Sequence, residues 1–322
     1  MSLITRLFPL LIVSSLLCAP AYGQPTQSDS VDQLSVEELT FLRDRTERLT
    51  IPVMIGDDGP FRFFIDTGAQ ATVLTAGVLE ATGLQVSGTA RLVALGSTQT
   101  VATVELDDVR FANRVVNGLV APLLQTDHLG ADGILGLDSL HGLRVVIDLR
   151  EDRMSIADSD QENGRAGYEI VVRARPKLGQ MVITNARVDG VKTAVIIDTG
   201  AQNSIGNLAL LRALGKRTRS DDLVYNIDVH GAELASLRAD IGTLRMGGMI
   251  LNQVPIGFAD SPAFTKIGFG DTPALLLGMR NLRAFDRVAI DFSQRRVLFD
   301  VPNHVTAGDL LRRNAYASRI GW

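Results

Sequence analysis

The residues best suited to chemistry in this sequence are two aspartates in matching surroundings. Asp66 lies in Phe-Phe-Ile-Asp-Thr-Gly-Ala-Gln at 63–70, and Asp198 lies in Val-Ile-Ile-Asp-Thr-Gly-Ala-Gln at 195–202. One Asp-Thr-Gly can arise by chance, but two copies in the same apolar context, 132 residues apart, indicate a duplicated unit. We therefore expect Asp66 and Asp198 to meet across a pseudo-twofold axis.

Two facing carboxyl groups can hydrolyse an amide without a metal ion or a serine or cysteine nucleophile. Held about 3 Å apart, they cannot both ionise, so they share one proton. One carboxylate takes a proton from water while its protonated partner donates to the substrate carbonyl, and the pair titrates as a unit. Each such proton transfer is typically worth about 10²- to 10⁴-fold in rate. The pattern predicts an aspartic protease with Asp66 and Asp198 as its catalytic pair.

The neighbours of each aspartate suit this chemistry. Apolar residues before it bury the strand and lower the local dielectric, which strengthens the coupling between the carboxyl groups. Glycine two residues after each aspartate lets the loops approach closely and lets backbone N–H groups point at the carboxylates. The expected supporting residues of the two loops are Thr67, Gly68, Ala69, Thr199, Gly200 and Ala201.

Two further segments recur in the same order. Gly-Ile-Leu-Gly at 133–136 corresponds to Leu-Leu-Leu-Gly at 275–278, and Val-Val-Ile-Asp at 145–148 corresponds to Val-Ala-Ile-Asp at 288–291. Their offsets are 142 and 143 residues, so about ten extra residues lie in the middle of the second half. We interpret Asp148 and Asp291 as residues that open hairpin turns, not as a second carboxylate pair.

The surrounding sequence is typical of an all-β protein, because short β-prone runs alternate with Gly, Asp and Asn. The expected strands are 51–55, 61–65, 91–95, 101–106, 115–120, 145–147, 181–188, 191–197, 223–229, 234–241 and 288–290. The expected helices are 75–81, 138–141 and 205–214. The 322 residues have room for two domains. We expect two β lobes, 49–157 and 169–302, joined by a polar linker at 158–168.

These motifs resemble those of retropepsin-like aspartic proteases in a single-chain bacterial form. The resemblance rests on Asp-Thr-Gly-Ala in each half, on Thr72 or Ser204 three residues after the alanine, and on the apolar-apolar-Gly segments, and it covers residues 49–300. It implies a bilobal, pseudo-twofold acid protease fold with few short helices, an active-site cleft between the lobes and a β-hairpin flap over it.

The resemblance also implies roles for individual residues. Asp66 and Asp198 would be catalytic, Thr67 and Thr199 would hold the loops together, and the apolar-apolar-Gly segments would pack behind them. Gln70 and Gln202 differ from the acidic residue usual in viral relatives. Alanine replaces the Ser or Thr of pepsin-like enzymes, which can lower a carboxyl pKa by hydrogen bonding, so we expect a pH optimum milder than pepsin's.

Two Gly-containing segments are candidates for the flaps. Gly96 and Ser97 stand between two strand-like runs in the first half, and His230 and Gly231 hold the equivalent place in the second. Both are typical of hairpin tips. Two flaps would be a retropepsin-like feature and one a pepsin-like feature, and the sequence leaves this open.

The N-terminal residues suggest export, and the arm and tail have predictions of their own. Residues 1–23 have a charged start, an apolar core and small residues at the end, as in a signal peptide. The expected location is periplasmic, with secretion or membrane anchoring through Cys18 or an uncleaved signal as alternatives. An arm with a short helix is expected at 24–48, because Ser35-Val36-Glu37-Glu38 matches a capping box. The tail at 303–322 is interpreted as a docking helix, with membrane-surface contact through its arginines as an alternative.

Composition and spacing exclude several classes of function. With 46% hydrophobic and 21% charged residues and a net charge of −4, the chain has no dense basic patch for nucleic acid. Its four histidines show no metal-ligand spacing, so neither metal nor other cofactor is expected. The hypothesis is a monomeric endopeptidase acting on peptides or proteins, with two lobes replacing a dimer. The alternative is a catalytically silent peptide-binding or scaffold protein that uses the same cleft.

Overall fold

A computed structural model describes most of the chain. The described residues are 39–40, 50–125, 129–158, 168, 170–177, 180–215, 223–302 and 316–319. The predicted signal peptide, most of the arm and linker, and most of the tail lie outside these ranges. Two of those predictions are wrong where they can be compared: within the expected N-terminal helix Leu39–Thr40 is a strand, and within the expected tail helix Tyr316–Arg319 is a strand.

Strands dominate the described part of the chain. Those of the first half are β1 Leu39–Thr40, β2 Thr50–Ile55, β3 Asp58–Ile65, β4 Val73–Thr75, β5 Val86–Val93, β6 Thr98–Leu106, β7 Val109–Phe111, β8 Arg114–Val116, β9 Leu119–Leu124, β10 Gly133–Leu135, β11 Leu143–Asp148 and β12 Arg153–Asp158. Those of the second half are β13 Ile170–Arg173, β14 Arg175–Lys177, β15 Gln180–Val188, β16 Val191–Ile197, β17 Ile205–Asn207, β18 Leu223–Ile227, β19 Glu233–Met246, β20 Met249–Ala259, β21 Ala274–Leu277, β22 Arg287–Asp291, β23 Arg296–Asp300 and β24 Tyr316–Arg319.

Helices are short. Within the described residues they are α1 Ala76–Thr82, α2 Leu137–Leu140, α3 Leu208–Leu214, α4 Pro262–Lys266 and α5 Met279–Leu282. None of the helices in these ranges has the length and apolar character needed to cross a bilayer. With many strands and few short helices, the described residues form an all-β, bilobal architecture, as the sequence predicted.

Each lobe is built on its own sheet, and the two sheets follow the same plan. The first has the order β5-β6-β9-β4-β10-β3-β2-β7-β8, and the second β14-β15-β16-β21-β17-β20-β19-β18, with β24 added beside β20. In both, the strand before the Asp-Thr-Gly loop pairs in parallel with an apolar-apolar-Gly strand: β3 with β10, and β16 with β21. The predicted duplication is thus visible as matching pairs of buried central strands.

A third sheet, which the sequence analysis did not predict, joins the lobes. Its order is β1-β12-β11-β22-β23-β13, and its central pair joins β11 of the first half to β22 of the second. Val146 pairs with Ala289 at the middle of that ladder. Because this sheet crosses between the lobes, both belong to one compact unit, Ser35–Trp322. β12 also extends to Asp158, the first residue of the expected linker.

The third recurring motif lies in this sheet. Asp148 and Asp291 stand at opposite ends of the β11–β22 ladder, so they do not form a second carboxylate pair. In the hairpin turns that follow, Asp148 accepts the N–H groups of Arg150 and Glu151 and Asp291 accepts that of Gln294, as expected of residues that open turns. Asp291 is fully buried and also pairs with Arg144 and Arg296 at 2.9 and 3.1 Å, whereas Asp148 is partly exposed.

Three predicted elements are divided or change type in the structure. The expected strand 115–120 is divided between β8 and β9, because Gly118 turns the chain with φ of 69°. The expected helix 205–214 begins as strand β17, and Asn207 then caps α3 by accepting the Leu210 N–H at 2.9 Å. The expected strand 91–95 is the end of β5 followed by a turn, in which the Ala94 N–H donates to the Ser97 carbonyl at 2.9 Å.

Candidate active site

Each catalytic candidate follows a buried central strand directly. Asp66 comes after Ile65, the last residue of β3, and Asp198 comes after Ile197, the last residue of β16. The backbone N–H of each aspartate extends the parallel ladder by one bond: Asp66 donates to Leu135 at 3.1 Å and Asp198 to Leu277 at 3.0 Å. The strand ends are thereby fixed, and so is the start of each loop.

Backbone N–H groups bind both carboxylates in the same way. One oxygen of Asp66 accepts the N–H groups of Gly68 at 2.7 Å and Ala69 at 3.0 Å. One oxygen of Asp198 accepts those of Gly200 and Ala201, both at 3.0 Å. In each loop one carboxyl oxygen is held by the backbone, which orients the other toward the opposite lobe.

Glycine is required where the two loops meet. A methyl group on Gly200 would lie 2.2 Å from a carboxyl oxygen of Asp66, and one on Gly68 would lie 2.7 Å from the carboxyl group of Asp198. No real side chain fits at these separations. Each glycine thus faces the aspartate of the other lobe, and the structure brings Asp66 and Asp198 together as predicted.

The carboxyl groups of Asp66 and Asp198 are close enough to share a hydrogen bond. Enclosure by protein raises the pKa of Asp198 from its ordinary 3.8 to about 8, and the charge of Asp66 adds to the rise. The N–H groups of Ala201 and Gly200 oppose it, since they stabilise the ionised form. The pair therefore retains a proton under conditions in which an isolated aspartate would be ionised.

The two threonines join the loops as the sequence predicted. The Thr67 hydroxyl donates to the Ile197 carbonyl at 2.8 Å and accepts the Thr199 N–H at 3.2 Å. The Thr199 hydroxyl donates to the Ile65 carbonyl at 2.7 Å and accepts the Thr67 N–H at 3.0 Å. Both side chains are buried. These hydrogen bonds cross between the lobes directly beside the carboxyl groups.

The apolar-apolar-Gly segments lie behind the loops. A methyl group on Gly136 would lie 2.4 Å from the Ala71 backbone, and one on Gly278 would lie 2.6 Å from the Asn203 carbonyl. Thr72 and Ser204, which the resemblance also covers, brace these contacts: their hydroxyls accept the N–H groups of Gly136 and Gly278 at 3.2 and 3.0 Å. Thr72 therefore has a packing role in the first lobe, and Ser204 has the same role in the second.

Both flap candidates are hairpin tips. Gly96 and Ser97 lie in the turn 94–97 between β5 and β6, and His230 and Gly231 lie in the turn 228–232 between β18 and β19. Each tip packs against the opposite lobe. Leu95 contacts an apolar cluster of the second lobe that includes Ile196 and Leu276. Val229 contacts the corresponding cluster of the first lobe, which includes Phe64 and Ile134.

Sequence reasoning missed one buried polar residue at the site. Gln180, at the start of β15, donates from its amide nitrogen to the carbonyl of Gly68 at 2.5 Å and is 3% exposed. Its amide oxygen is buried and has no hydrogen-bond partner among the described residues. A lone glutamine before an apolar strand gives no signal in the sequence, because its role depends on a loop 112 residues away. By contrast, Gln70 and Gln202 are exposed.

A two-lobed β protein in which each lobe supplies one aspartate to a shared, proton-retaining pair has the architecture of an aspartic protease. The family model described as "Aspartyl protease" matches this chain twice, over residues 51–139 and 184–280. Each match contains one Asp-Thr-Gly loop and the apolar-apolar-Gly segment behind it. The chain belongs to the aspartyl protease family, in a two-lobed, retropepsin-like form. A search of curated proteins finds no match.

In the ranges that the structure covers, no cluster of three or more His, Cys, Asp or Glu side chains is arranged to hold a metal ion. The two carboxyl groups of the site can support acid–base chemistry.

Proposed function

We propose that this protein is an aspartic endopeptidase, with Asp66 and Asp198 as its catalytic residues. The observation that carries the proposal is the facing pair: the glycine of each loop lies against the aspartate of the other lobe, and burial beside Asp66 raises the pKa of Asp198 to about 8. At mildly acidic to neutral pH such a pair has one acid and one base side by side. Amide hydrolysis needs both.

In the proposed reaction, a water molecule bound between the carboxyl groups is the nucleophile. The ionised carboxylate removes a proton from the water as the water oxygen attacks the peptide carbonyl carbon, and the protonated carboxyl group donates to the carbonyl oxygen. The resulting tetrahedral gem-diol collapses as the C–N bond breaks: the carboxyl group that took the water proton donates it to the leaving nitrogen, and one gem-diol hydroxyl gives its proton to the other carboxylate as the C=O bond reforms. The pair returns to its singly protonated state, so protons balance over the cycle.

The sheet edges support binding of an extended peptide. β5 and β18, the first strands of the two hairpins, each stand at the end of their sheet order. An edge strand offers unpaired backbone groups to which a peptide can add as a further strand. Because there is one such edge in each lobe, a bound segment can continue on both sides of the catalytic pair. This favours cleavage of internal peptide bonds.

The apolar clusters beside the loops support a preference for apolar side chains. Ala69, Leu92 and Val229 pack against the first-lobe cluster, and Leu95 and Leu234 pack against that of the second lobe. A substrate side chain next to the scissile bond would enter these surroundings. We propose apolar residues at the two positions that flank the bond.

Incubation of the folded protein with a peptide library or a denatured protein tests the function. The expected result is cleavage that disappears in Asp66→Ala and in Asp198→Ala, with the cleavage sites giving the preference. If well-folded wild type cleaves nothing from about pH 3 to about pH 8 but still binds peptides, the protein is instead a catalytically silent peptide-binding protein.

We further propose that the protein is exported, cleaved after residue 23 and active as a monomer, since one chain supplies both aspartates. The segment 1–23 supports the first part. N-terminal sequencing and native mass measurement of protein recovered from the producing cell would test both. An N-terminus upstream of residue 24, or a lipid on Cys18, would contradict cleavage at that site.

A further inference from the structure

One carboxylate joins the two hairpin tips. Asp228, which is 5% exposed, accepts the N–H groups of His230 at 2.9 Å and Ala232 at 3.0 Å within its own turn. Its other oxygen accepts the Ser97 hydroxyl at 2.6 Å and the Gly96 N–H at 3.2 Å from the tip of the opposite lobe. Four donors thus converge on a buried charge, two from each lobe.

The surroundings hold the first-lobe tip against the second lobe. The Ser261 hydroxyl donates to the Leu95 carbonyl at 2.5 Å. A methyl group on Gly96 would lie only 3.2 Å from the Leu234 side chain, so the backbone at the tip is in close contact with the second hairpin. Ser261 immediately precedes α4 in the segment 260–273, where most of the extra residues of the second lobe lie. Those extra residues therefore reach the tip of the other lobe's hairpin.

The two hairpin tips contribute different groups to this contact. Both turns start with a residue whose N–H donates across the turn, Ala94 to Ser97 in the first and Asp228 to Ala232 in the second. Ala94 therefore stands where Asp228 stands, and alanine offers no acceptor on its side chain. The first hairpin supplies donors and the second supplies the charge.

We propose that Asp228 is a positioning residue that clasps the two hairpin tips together over the catalytic pair, so that release and renewal of its bonds to Gly96 and Ser97 accompany peptide entry and retention. This proposal rests on the proposed function, because it concerns access to the same cleft. Hydrogen bonds to a charged acceptor are stronger than neutral ones, which favours the closed tips. Only two of them cross between the tips, so the clasp can open without unfolding either lobe.

The first test measures the clasp without any substrate. Cys18 is the only cysteine, so Cys18→Ser gives a background for spin labels at Thr100→Cys and Tyr225→Cys, two exposed positions on the strands that lead to the tips. Double electron–electron resonance should give one short distance in that background. Ser97→Ala and Asp228→Ala should shift it to a longer, broader distribution.

The choice of variants separates the clasp from the fold of the turn. Ser97→Ala removes one interlobe bond and leaves the bonds of Asp228 to His230 and Ala232 intact, so it remains informative if Asp228→Ala fails to fold. Asp189→Ala is the control, because Asp189 also accepts two backbone N–H groups, those of Gly242 and Thr243 in β19, but joins parts of one lobe. It should leave the distance unchanged.

The second test measures peptide retention. In Ser97→Ala we expect KM for a cleavable peptide, and Kd for a peptide with a statine in place of the scissile bond, to rise about three- to tenfold. kcat should stay within about twofold of wild type, since the Ser97 hydroxyl bonds to Asp228 and has no proposed role at the reacting atoms. Asp189→Ala should change neither KM nor Kd.

An unchanged tip distance in Ser97→Ala overturns the clasp and leaves the proposed function standing. An opened distance with unchanged KM and Kd overturns the role of Asp228 in peptide retention. If the wild-type protein cleaves nothing, the proposed function fails by itself. The tip distance and the statine-peptide Kd still decide the clasp in that case.

Discussion

The loops at Asp66 and Asp198 and the hairpin tips at Ala94 and Asp228 are two pairs of equivalent regions with different degrees of symmetry. In the loops, each carboxylate accepts the N–H groups two and three residues after it, and each threonine reaches the opposite lobe. At the tips, one lobe supplies a carboxylate where the other has alanine. Symmetry is retained where two groups must share one proton. Symmetry is lost at the hairpin tips, where the two lobes contact each other away from the carboxyl pair.

The largest expected effect tests the symmetric half of this comparison. Asp66→Asn and Asp198→Asn should each lower kcat by about 10³-fold or more, because either change removes the shared proton while leaving the shape of the side chain. The two losses should agree within about tenfold. Steady-state kinetics of both variants would measure this, with circular dichroism as the control for folding. A variant that retained most of its activity would show that one aspartate suffices.

A stability difference tests the asymmetry at the third recurring motif. Asp291→Ala should lower the free energy of unfolding by about 3–5 kcal/mol, because it leaves Arg144 and Arg296 buried without their shared carboxylate. Asp148→Ala, at the equivalent position, should cost about 1 kcal/mol or less, since Asp148 is partly exposed. Urea unfolding of both variants measures the difference. Equal losses would mean that the buried ion pairs contribute little.

The threonines should behave alike. Thr67→Val and Thr199→Val should each cost about 1–3 kcal/mol of unfolding free energy, because each removes a hydroxyl that makes two interlobe hydrogen bonds in a buried site. The two costs should not add in the double variant, since the hydroxyls share one network. Thr193→Val is the matched control: its buried hydroxyl donates to the Val191 carbonyl of the same lobe and should cost less.

The next prediction concerns how the free energy of unfolding depends on pH. The folded pKa of Asp198, about 8, exceeds its ordinary 3.8, so the folded chain binds a proton that the unfolded chain releases. The resulting stability is fully present below about pH 3.8 and is lost as the pH rises through about 8. Urea unfolding at several pH values should show this decline, and Asp198→Asn should reduce it.

A pH–rate profile gives the corresponding kinetic result. Activity should fall as the pair loses its shared proton toward about pH 8. The optimum should be milder than pepsin's, because alanine follows each Asp-Thr-Gly and donates no side-chain hydrogen bond to the carboxylates. Maximal activity near about pH 2 would contradict this expectation.

The central parts of the site were predictable because their physical signal is local and repeated. Apolar residues before Asp66 and Asp198 specify buried strands, and the glycines at 68 and 200 specify a close approach, so two copies were enough to infer a pair. The hairpin tips were also visible, since Gly and Ser interrupt β-prone runs.

The remaining features depend on contacts between distant residues. The bond from Gln180 to Gly68 and the bonds from Asp228 to the opposite tip join side chains to loops more than 100 residues away, and nothing in the local sequence indicates the partner. The interlobe sheet was missed for the same reason: β11 and β22 look like ordinary hairpin strands until each is paired with the other. The start of the expected helix at 205–214 was misplaced for a local reason. Asn207 ends strand β17 and also caps α3, and the sequence does not distinguish these two roles.

The interlobe sheet also sets the order in which the protein can become complete during synthesis. β11 of the first half pairs with β22, which ends at Asp291 in a chain of 322 residues. A nascent chain that has produced only the first lobe still lacks the neighbour of β11 and the second aspartate. Both are synthesised after the first lobe, so the chain cannot hydrolyse a peptide bond by the proposed mechanism until Asp198 has been made and the second lobe has folded beside the first.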